Sequence, residues 1–181
     1  MSDADRGSGA DADLPTRCEA EVVALHEFFE TWLSGRAART GETFARFPDA
    51  LDPGFHIVSP SGDVRGHDRI VADLEAAYGA QPDGFVIRIE NVQVRDVAVV
   101  ADGRGGGDGR DTGGVRAVAD GPDGDRCLCT YEEWQTDRHG DGVETGRLST
   151  VLFREAPDAP GGVAWLHVHE TWLPGHGPDG G

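Results

Sequence analysis

The clearest pattern of apolar and polar positions lies near the end of the chain. Residues 162–172 are rich in β-branched and aromatic side chains and are flanked by glycine and proline, which is typical of a β-strand. Side chains alternate between the two faces of a strand. One face is predicted to carry Trp165, His167, His169 and Thr171. The other is predicted to carry Leu166, Val168, Glu170 and Trp172. Large apolar groups on both faces indicate a central strand that is covered on both sides.

Helical spacing of apolar residues predicts three helices, at about residues 16–34, 41–51 and 66–79. The first opens on Thr16 and Glu19, the pattern of a capping box. Its apolar stripe consists of Val22, Leu25, Phe29, Trp32 and Leu33. His26 lies on or beside this stripe, where a packed core histidine is favoured over a ligand.

Strand patterns recur at residues 55–60, 85–94 with a continuation at 97–100, 126–136 and 146–154. Natural reversals at 137–142 and 155–161 connect the last three strands. Helices followed by a meander of long strands indicate an α+β fold. We expect one domain at 16–174, with a disordered acidic tail at 1–15, a flexible Gly/Asp-rich insertion at 102–125 and a second disordered tail at 175–181.

Composition limits the possible partners. The chain of 181 residues has 33 acidic against 16 basic residues, a net charge of -17, and every basic residue is arginine. This charge would repel nucleic acid and anionic membranes, and the sequence contains no apolar run long enough to span a bilayer. We interpret the acidic surface as adaptation to a salt-rich (halophilic) interior. Three cysteines and no signal-peptide pattern predict a cytoplasmic location.

Candidate chemistry follows from folding the last three strands as antiparallel hairpins. The expected register pairs Glu133 with Arg147, Tyr131 with Ser149, and Ser149 with His169. One sheet face would then collect Tyr131, Glu133, Arg147, Ser149, Trp165, His167, His169 and Thr171. So many ionisable groups among apolar ones predict a polar pocket, because buried charges are costly unless they are paired.

Each of these residues has more than one interpretation. His169 or His167 could act as a general base, or could simply be hydrogen-bonded within the pocket. Arg147 and Tyr131 could stabilise negative charge on a carbonyl oxygen, or could serve as a partner for Glu133 and a wall. Two alternate histidines could bind a metal, but a third ligand is not evident. No metal and no cofactor are therefore predicted, and Glu133, Ser149, Trp165 and Thr171 are expected to line the ligand pocket.

The arrangement resembles the nuclear-transport-factor-2-like (NTF2-like) superfamily, and in particular the uncharacterised SnoaL-like, polyketide-cyclase-like proteins. The resemblance rests on the first helix, the segment Phe55-His56-Ile57-Val58-Ser59-Pro60-Ser61-Gly62, the helix after it, Arg147-Leu148-Ser149-Thr150 and the Trp165–Trp172 segment. Trp165 and His169 fit the common ending of these proteins, and Thr171 stands where a second histidine is frequent. The resemblance implies a cone-shaped, curved antiparallel sheet wrapped around N-terminal helices, as in the cystatin-like fold.

Two functions remain open, because this fold serves both enzymes and non-catalytic binding proteins. The first is a small-molecule pocket that performs acid–base chemistry on a carbonyl-containing apolar metabolite. The second is a non-catalytic homodimeric binding or interaction module. In either case we expect a homodimer formed through the sheet face that carries Trp134 and Trp172, since so large an apolar patch is unusual on a monomer.

Overall fold

The computed structural model describes residues 12–97, 125–137 and 144–177. Its elements in chain order are α1 (Leu14–Leu33), α2 (Gly41–Ala45), β1 (Leu51–Val58), β2 (Val64–Gly66), α3 (His67–Ala76), β3 (Phe85–Val97), β4 (Arg126–Asp137), β5 (Glu144–Glu155) and β6 (Val163–Trp172). None of the helices in this part of the chain combines the length and apolar character that crossing a bilayer requires. The predicted insertion at 102–125, apart from its last residue, and most of the two predicted tails lie outside the described residues.

Helix α1 begins two residues before the predicted start. The carboxylate of Asp13 accepts a hydrogen bond of 3.0 Å from the backbone N–H of Thr16, and Pro15 suits the first turn of a helix. The predicted cap at Thr16 is therefore replaced by one at Asp13. One face of the helix is buried through Val22, Leu25 and Trp32.

Helix α2 is shorter than predicted. It covers Gly41–Ala45, and a separate 3₁₀ turn follows at Pro48–Ala50. Pro48 lacks the backbone N–H that a helix interior needs, so the α-helix does not continue through it. The chain then becomes extended at Leu51, four residues before the predicted strand.

The six strands in the described part of the chain form one curved, unclosed sheet in the order β2-β1-β6-β5-β4-β3. The predicted α+β fold is confirmed. Four of the strand pairs are antiparallel, and β1 pairs with β6 in parallel, so the sheet is mixed. Antiparallel pairing was expected from hairpins, but β1 and β6 are separated by most of the chain and no hairpin connects them.

The register of the last three strands agrees with the prediction in only one of its two pairs. Glu133 lies opposite Arg147, and Tyr131 opposite Ser149, as expected. Ser149 lies opposite Glu170, however, and not opposite His169. The predicted β5–β6 register is therefore wrong by one residue.

A β-bulge explains this difference. Leu152 pairs with His167 and the next residue, Phe153, pairs with Trp165, so Leu166 is an extra residue in β6. An inserted residue reverses the alternation of side chains beyond it. Trp165 stays on the face that packs against α1, the inner face, whereas His167 and all later residues exchange sides.

The exchange also divides the patch predicted for dimerisation. Trp134 lies on the outer face of the sheet, together with Leu128, Leu148 and Leu152. Trp172 lies opposite Arg147 and Val168 opposite Val151, so both belong to the inner face. The apolar part of the outer face is consequently smaller than the sequence suggested.

Candidate functional site

An apolar cavity of about 200 Å³ lies between α1 and the inner face of the sheet. Its walls are formed by side chains from helices α1 and α3 and from several strands of the sheet. Among them are Leu25, Phe29, Phe55, Ile70, Leu74, Trp165 and Val168. Comparable cavities of about 150 Å³ accept benzene. The space therefore suits one small ring with a short substituent.

One wall of the cavity is polar and buried. It consists of His26, Tyr131, Glu133, Arg147 and Glu170, here called the polar cluster. His26 comes from α1, and the other four come from the inner faces of β4, β5 and β6. Because each strand contributes at alternate positions, the sheet brings these groups to one place although they are distant in sequence.

Glu133 is the centre of the polar cluster. Its carboxylate lies 3.2 Å from Nε2 of His26, 3.1 Å from Nη2 of Arg147 and 2.6 Å from the side-chain nitrogen of Gln135. Burial alone would raise the pKa of Glu133, but the charges of Arg147 and His26 and the hydrogen bonds outweigh it and lower the pKa to about 2. Glu133 is therefore ionised at neutral pH.

Glu170 shares the same arginine but behaves differently. Its Oε2 lies 3.2 Å from Nη1 of Arg147. Burial raises the pKa of Glu170; Arg147 opposes that effect, and the nearby charge of Glu133 adds to it. Two carboxylates on one cation thus have pKa values displaced in opposite directions, an arrangement that separates an ionised group from one able to carry a proton.

His26 is positioned to exchange a proton with a molecule in the cavity. Its Nδ1 lies 2.7 Å from the carbonyl oxygen of Val22, one helical turn earlier, so this nitrogen donates. Its Nε2 faces Glu133 and lies 3.5 Å from the hydroxyl of Tyr131. In a neutral ring Nε2 carries a lone pair that can accept from the Tyr131 hydroxyl, and in a protonated ring Nε2–H can donate to the Glu133 carboxylate. The ring therefore has a partner in either form.

Tyr131 provides a neutral donor beside that histidine. Burial raises its pKa well above the ordinary value of 10, and the charge of Glu133 adds to the effect. The phenol therefore keeps its proton at all physiological pH values. A buried, protonated tyrosine can donate to an oxygen on which negative charge develops.

The structure brings four of the residues predicted for the site together. Tyr131, Glu133, Arg147 and Trp165 all line the cavity. Ser149 is completely buried on the same inner face but does not line it. For these five the prediction of the sheet face is confirmed, because the β4–β5 register is as expected and Trp165 precedes the bulge.

The other three residues predicted for the site lie away from it. His167, His169 and Thr171 follow the bulge and lie on the outer face, where His169 and Thr171 are exposed. Nδ1 of His167 lies 3.0 Å from the carbonyl oxygen of His56, and the two rings are 4.4 Å apart. The expectation that these histidines reach the pocket is wrong because Leu166 reverses the alternation.

Sequence reasoning missed His26 and Glu170 as members of the site. His26 was interpreted as a core histidine, and its partner Glu133 is 107 residues away, so nothing local signals the pair. Glu170 was assigned to the opposite face by strict alternation. Among the described residues, no group of three or more histidine, cysteine, aspartate or glutamate side chains is arranged to hold a metal ion.

The cavity opens toward a wider groove. The groove is bounded by the turn at Ser59–Asp63, by β2 and α3, and by Trp172. Arg65, Arg147 and Glu170 line both spaces. These three side chains therefore form the mouth of the cavity.

Comparison with known proteins identifies the fold. The chain superimposes on an NTF2-like protein of unknown function from Pseudomonas aeruginosa with a TM-score of 0.61 and 22% identity, covering 87% of this chain and 98% of that one. The chain has the NTF2-like fold. No protein-family model matches the sequence, and no significant match exists among curated proteins.

Two further solved structures that are similar to this chain are described as proteins of different kinds. One is a candidate dehydratase from Streptomyces avermitilis, with a TM-score of 0.55 and 15% identity over 88% of this chain and 95% of that one. Another is the CaMKII hub of S. rosetta, with a TM-score of 0.58 and 11% identity over 91% of this chain and all of that one. At such identities the likeness concerns the fold alone.

Proposed function

We propose that this NTF2-like protein binds a small, mostly apolar molecule that contains a carbonyl group and catalyses proton transfer on it. The observation that supports this is the juxtaposition of His26, Glu133 and neutral Tyr131 at one wall of an otherwise apolar cavity. An apolar pocket with a few convergent polar groups and displaced pKa values is typical of a site for chemistry.

In the proposed reaction His26 acts in its neutral form, with Nδ1–H donated to the carbonyl of Val22, and the lone pair of Nε2 removes a proton from the carbon next to the substrate carbonyl. The electrons of that C–H bond form a carbon–carbon double bond, and the negative charge moves to the carbonyl oxygen. Tyr131 donates a hydrogen bond to that oxygen. Glu133 balances the positive charge on the imidazolium ring, and Arg147 holds Glu133 in position. If the substrate has a double bond adjacent to that carbon, return of the proton to the far end of the double bond isomerises it. If it has a hydroxyl on the β-carbon, that hydroxyl takes up a proton and leaves as water, which dehydrates it.

The dehydration outcome matches the description of the Streptomyces avermitilis neighbour as a candidate dehydratase. Glu170, whose pKa is raised by burial, lies at the mouth and could supply a proton to a departing hydroxyl. Isomerisation and dehydration share the same first step. A test of that step therefore addresses both.

The experiment measures exchange of α-protons for deuterium in small ketones such as phenylacetone, followed by NMR in D₂O. We expect the wild-type protein to accelerate exchange and His26→Gln to lower the rate by about 100-fold or more. His169→Gln is the matched control, because His169 is an exposed histidine on the outer face. Loss of exchange in His169→Gln with retention in His26→Gln would refute the assignment of the base.

The second candidate is a non-catalytic homo-oligomeric module. The observation in its favour is the outer face, which carries Trp134 and leucines from β4 and β5 and on which Leu148 is 40% exposed. The neighbour from S. rosetta is described as a hub, which fits a role in assembly. This reading requires the outer face to be covered by a second copy, and it leaves the cavity without a chemical role.

A further inference from the structure

The groove beside the cavity contains three arginines, in a chain with an excess of acidic residues. Arg65, Arg69 and Arg147 line it together with Asp63, Asp73 and Glu170. The three positive and three negative charges balance, but the arginines differ in how closely a carboxylate contacts them. Whether the groove can bind an anion depends on which guanidinium lacks a close carboxylate partner.

Two of the three arginines have a close carboxylate partner. Arg147 contacts Glu133 through Nη2 at 3.1 Å and Glu170 through Nη1 at 3.2 Å. Arg69 contacts Asp73 at 3.0 Å, one helical turn along α3. Arg147 therefore cannot bind a ligand without losing a carboxylate partner, whereas Arg69 is 73% exposed and lines the groove but not the cavity.

Arg65 differs from both. Its closest carboxylate oxygen is that of Asp73, at 3.6 Å, beyond the usual range of a hydrogen bond, and Asp73 is already held by Arg69. Its Nε is shielded from solvent and has no hydrogen-bond partner among the described residues. An unsatisfied buried donor on a charged group is costly unless a ligand or water completes it.

The position of Arg65 directs this cation toward the cavity. Arg65 lies in β2 opposite Ile57, which lines the cavity from the inner face of β1. Its side chain borders both the cavity and the groove and is 36% exposed. A molecule with its apolar part in the cavity would pass this guanidinium on its way out.

We infer that the ligand is an amphiphilic carboxylate whose apolar part fills the cavity and whose carboxylate binds Arg65 at the mouth. The inference rests on the proposed function of the cavity and names the class of molecule it accepts. A guanidinium suits a carboxylate because its N–H groups form two parallel hydrogen bonds to the two oxygens. Arg147 is shared by Glu133 and Glu170, so a ligand carboxylate at the mouth is attracted to Arg65 and not to Arg147.

The experiment compares each carboxylate with its uncharged amide. The probes are phenylacetate, 3-phenylpropanoate and 4-phenylbutanoate with their amides, titrated calorimetrically at constant ionic strength. For the best-fitting length, we expect the carboxylate to bind wild-type protein about tenfold more tightly than the amide, as one hydrogen bond to a charged group predicts. Arg65→Gln should remove this preference, and Arg69→Gln, the matched control, should keep it.

Arg65→Lys provides a second variant that retains the charge but not the planar fork. We expect it to keep part of the preference, since Lys interacts with a carboxylate as a point charge. If carboxylates and amides bind the wild type equally, or if Arg65→Gln retains the preference, the inference is wrong although the cavity binds ligands. If neither series binds at any length, both the inference and the proposed function are refuted.

Discussion

Replacing Glu133 with glutamine tests the electrostatic basis of the polar cluster. The change removes the negative charge that lies between Arg147 and His26 while preserving the size and most of the hydrogen-bonding capacity of the side chain. Lowering the pKa of Glu133 from the ordinary 4.5 to about 2 means that folding reduces its proton affinity more than a hundredfold. Because each pKa unit corresponds to about 1.4 kcal/mol, ionised Glu133 contributes about 3 kcal/mol to the free energy of unfolding.

The pH dependence fixes the sign of this contribution. Because the pKa of Glu133 is lower in the folded protein than in the unfolded chain, its contribution is complete above pH 4.5 and is lost as the pH falls toward 2. Glu133→Gln should therefore be less stable than the wild type by about 3 kcal/mol at pH 7. The difference should shrink by about 2 kcal/mol between pH 7 and pH 3.

The assay is urea-induced unfolding of both proteins at several pH values and constant ionic strength. Repulsion among the many surface carboxylates changes with pH in both proteins alike, so it cancels in the difference. Glu170→Gln is the matched control, as it removes the other carboxylate that contacts Arg147. Since burial raises the pKa of Glu170, this variant should equal or exceed the wild type in stability at neutral pH. As the pH falls toward 4.5, the free energy of unfolding of the wild type should rise relative to that of Glu170→Gln.

Two results would refute the reasoning. A difference between wild type and Glu133→Gln that stays constant from pH 7 to pH 3 would mean that Glu133 is not an ionised partner of Arg147 and His26. An equal loss of stability in Glu133→Gln and Glu170→Gln at pH 7 would mean that the two carboxylates are not distinguished by their surroundings.

Two further predictions concern packing and assembly. Gly146→Ala should destabilise the protein by about 1–3 kcal/mol, because a Cβ there would lie 2.7 Å from the ring of Trp134. The measurement is thermal unfolding, and the control is Gly41→Ala, where no atom lies within 4 Å of the added Cβ. Equal stability of the two variants would contradict the packing of Gly146 against Trp134. Leu148→Glu should shift a dimer toward monomer in sedimentation velocity without changing the fold, because it places a charge in the apolar part of the outer face; an unchanged sedimentation coefficient would exclude dimerisation through that face.

The fold could be predicted from the sequence because its elements have strong local signals. The stripe of Val22, Leu25 and Trp32 recurs at helical spacing, and the strands alternate clearly. The β4–β5 register could be predicted as well, since the glycine- and aspartate-rich sequence between the two strands indicates a hairpin whose centre sets which residues face each other. The sequence therefore predicts that Tyr131, Glu133 and Arg147 share one face.

The remainder of the site depends on information that is not local. The bulge at Leu166 has no signature in the sequence, because a leucine suits either face of a covered strand, and strict alternation then misplaced every residue after it. The pairing of His26 with Glu133 depends on how α1 crosses the sheet. A helix of this kind shows which side is apolar, but its rotation and position relative to β4 are set by packing of the whole core.

The extra leucine in β6 has a consequence for how the chemistry of this protein could evolve. Deleting that one residue would turn two histidines and a threonine toward the hollow and turn Glu170 to the outside, without any substitution. A change in sequence length by a single codon could therefore replace a whole set of reactive groups at once. Homologous sequences aligned here without a gap would equate residues that point in opposite directions.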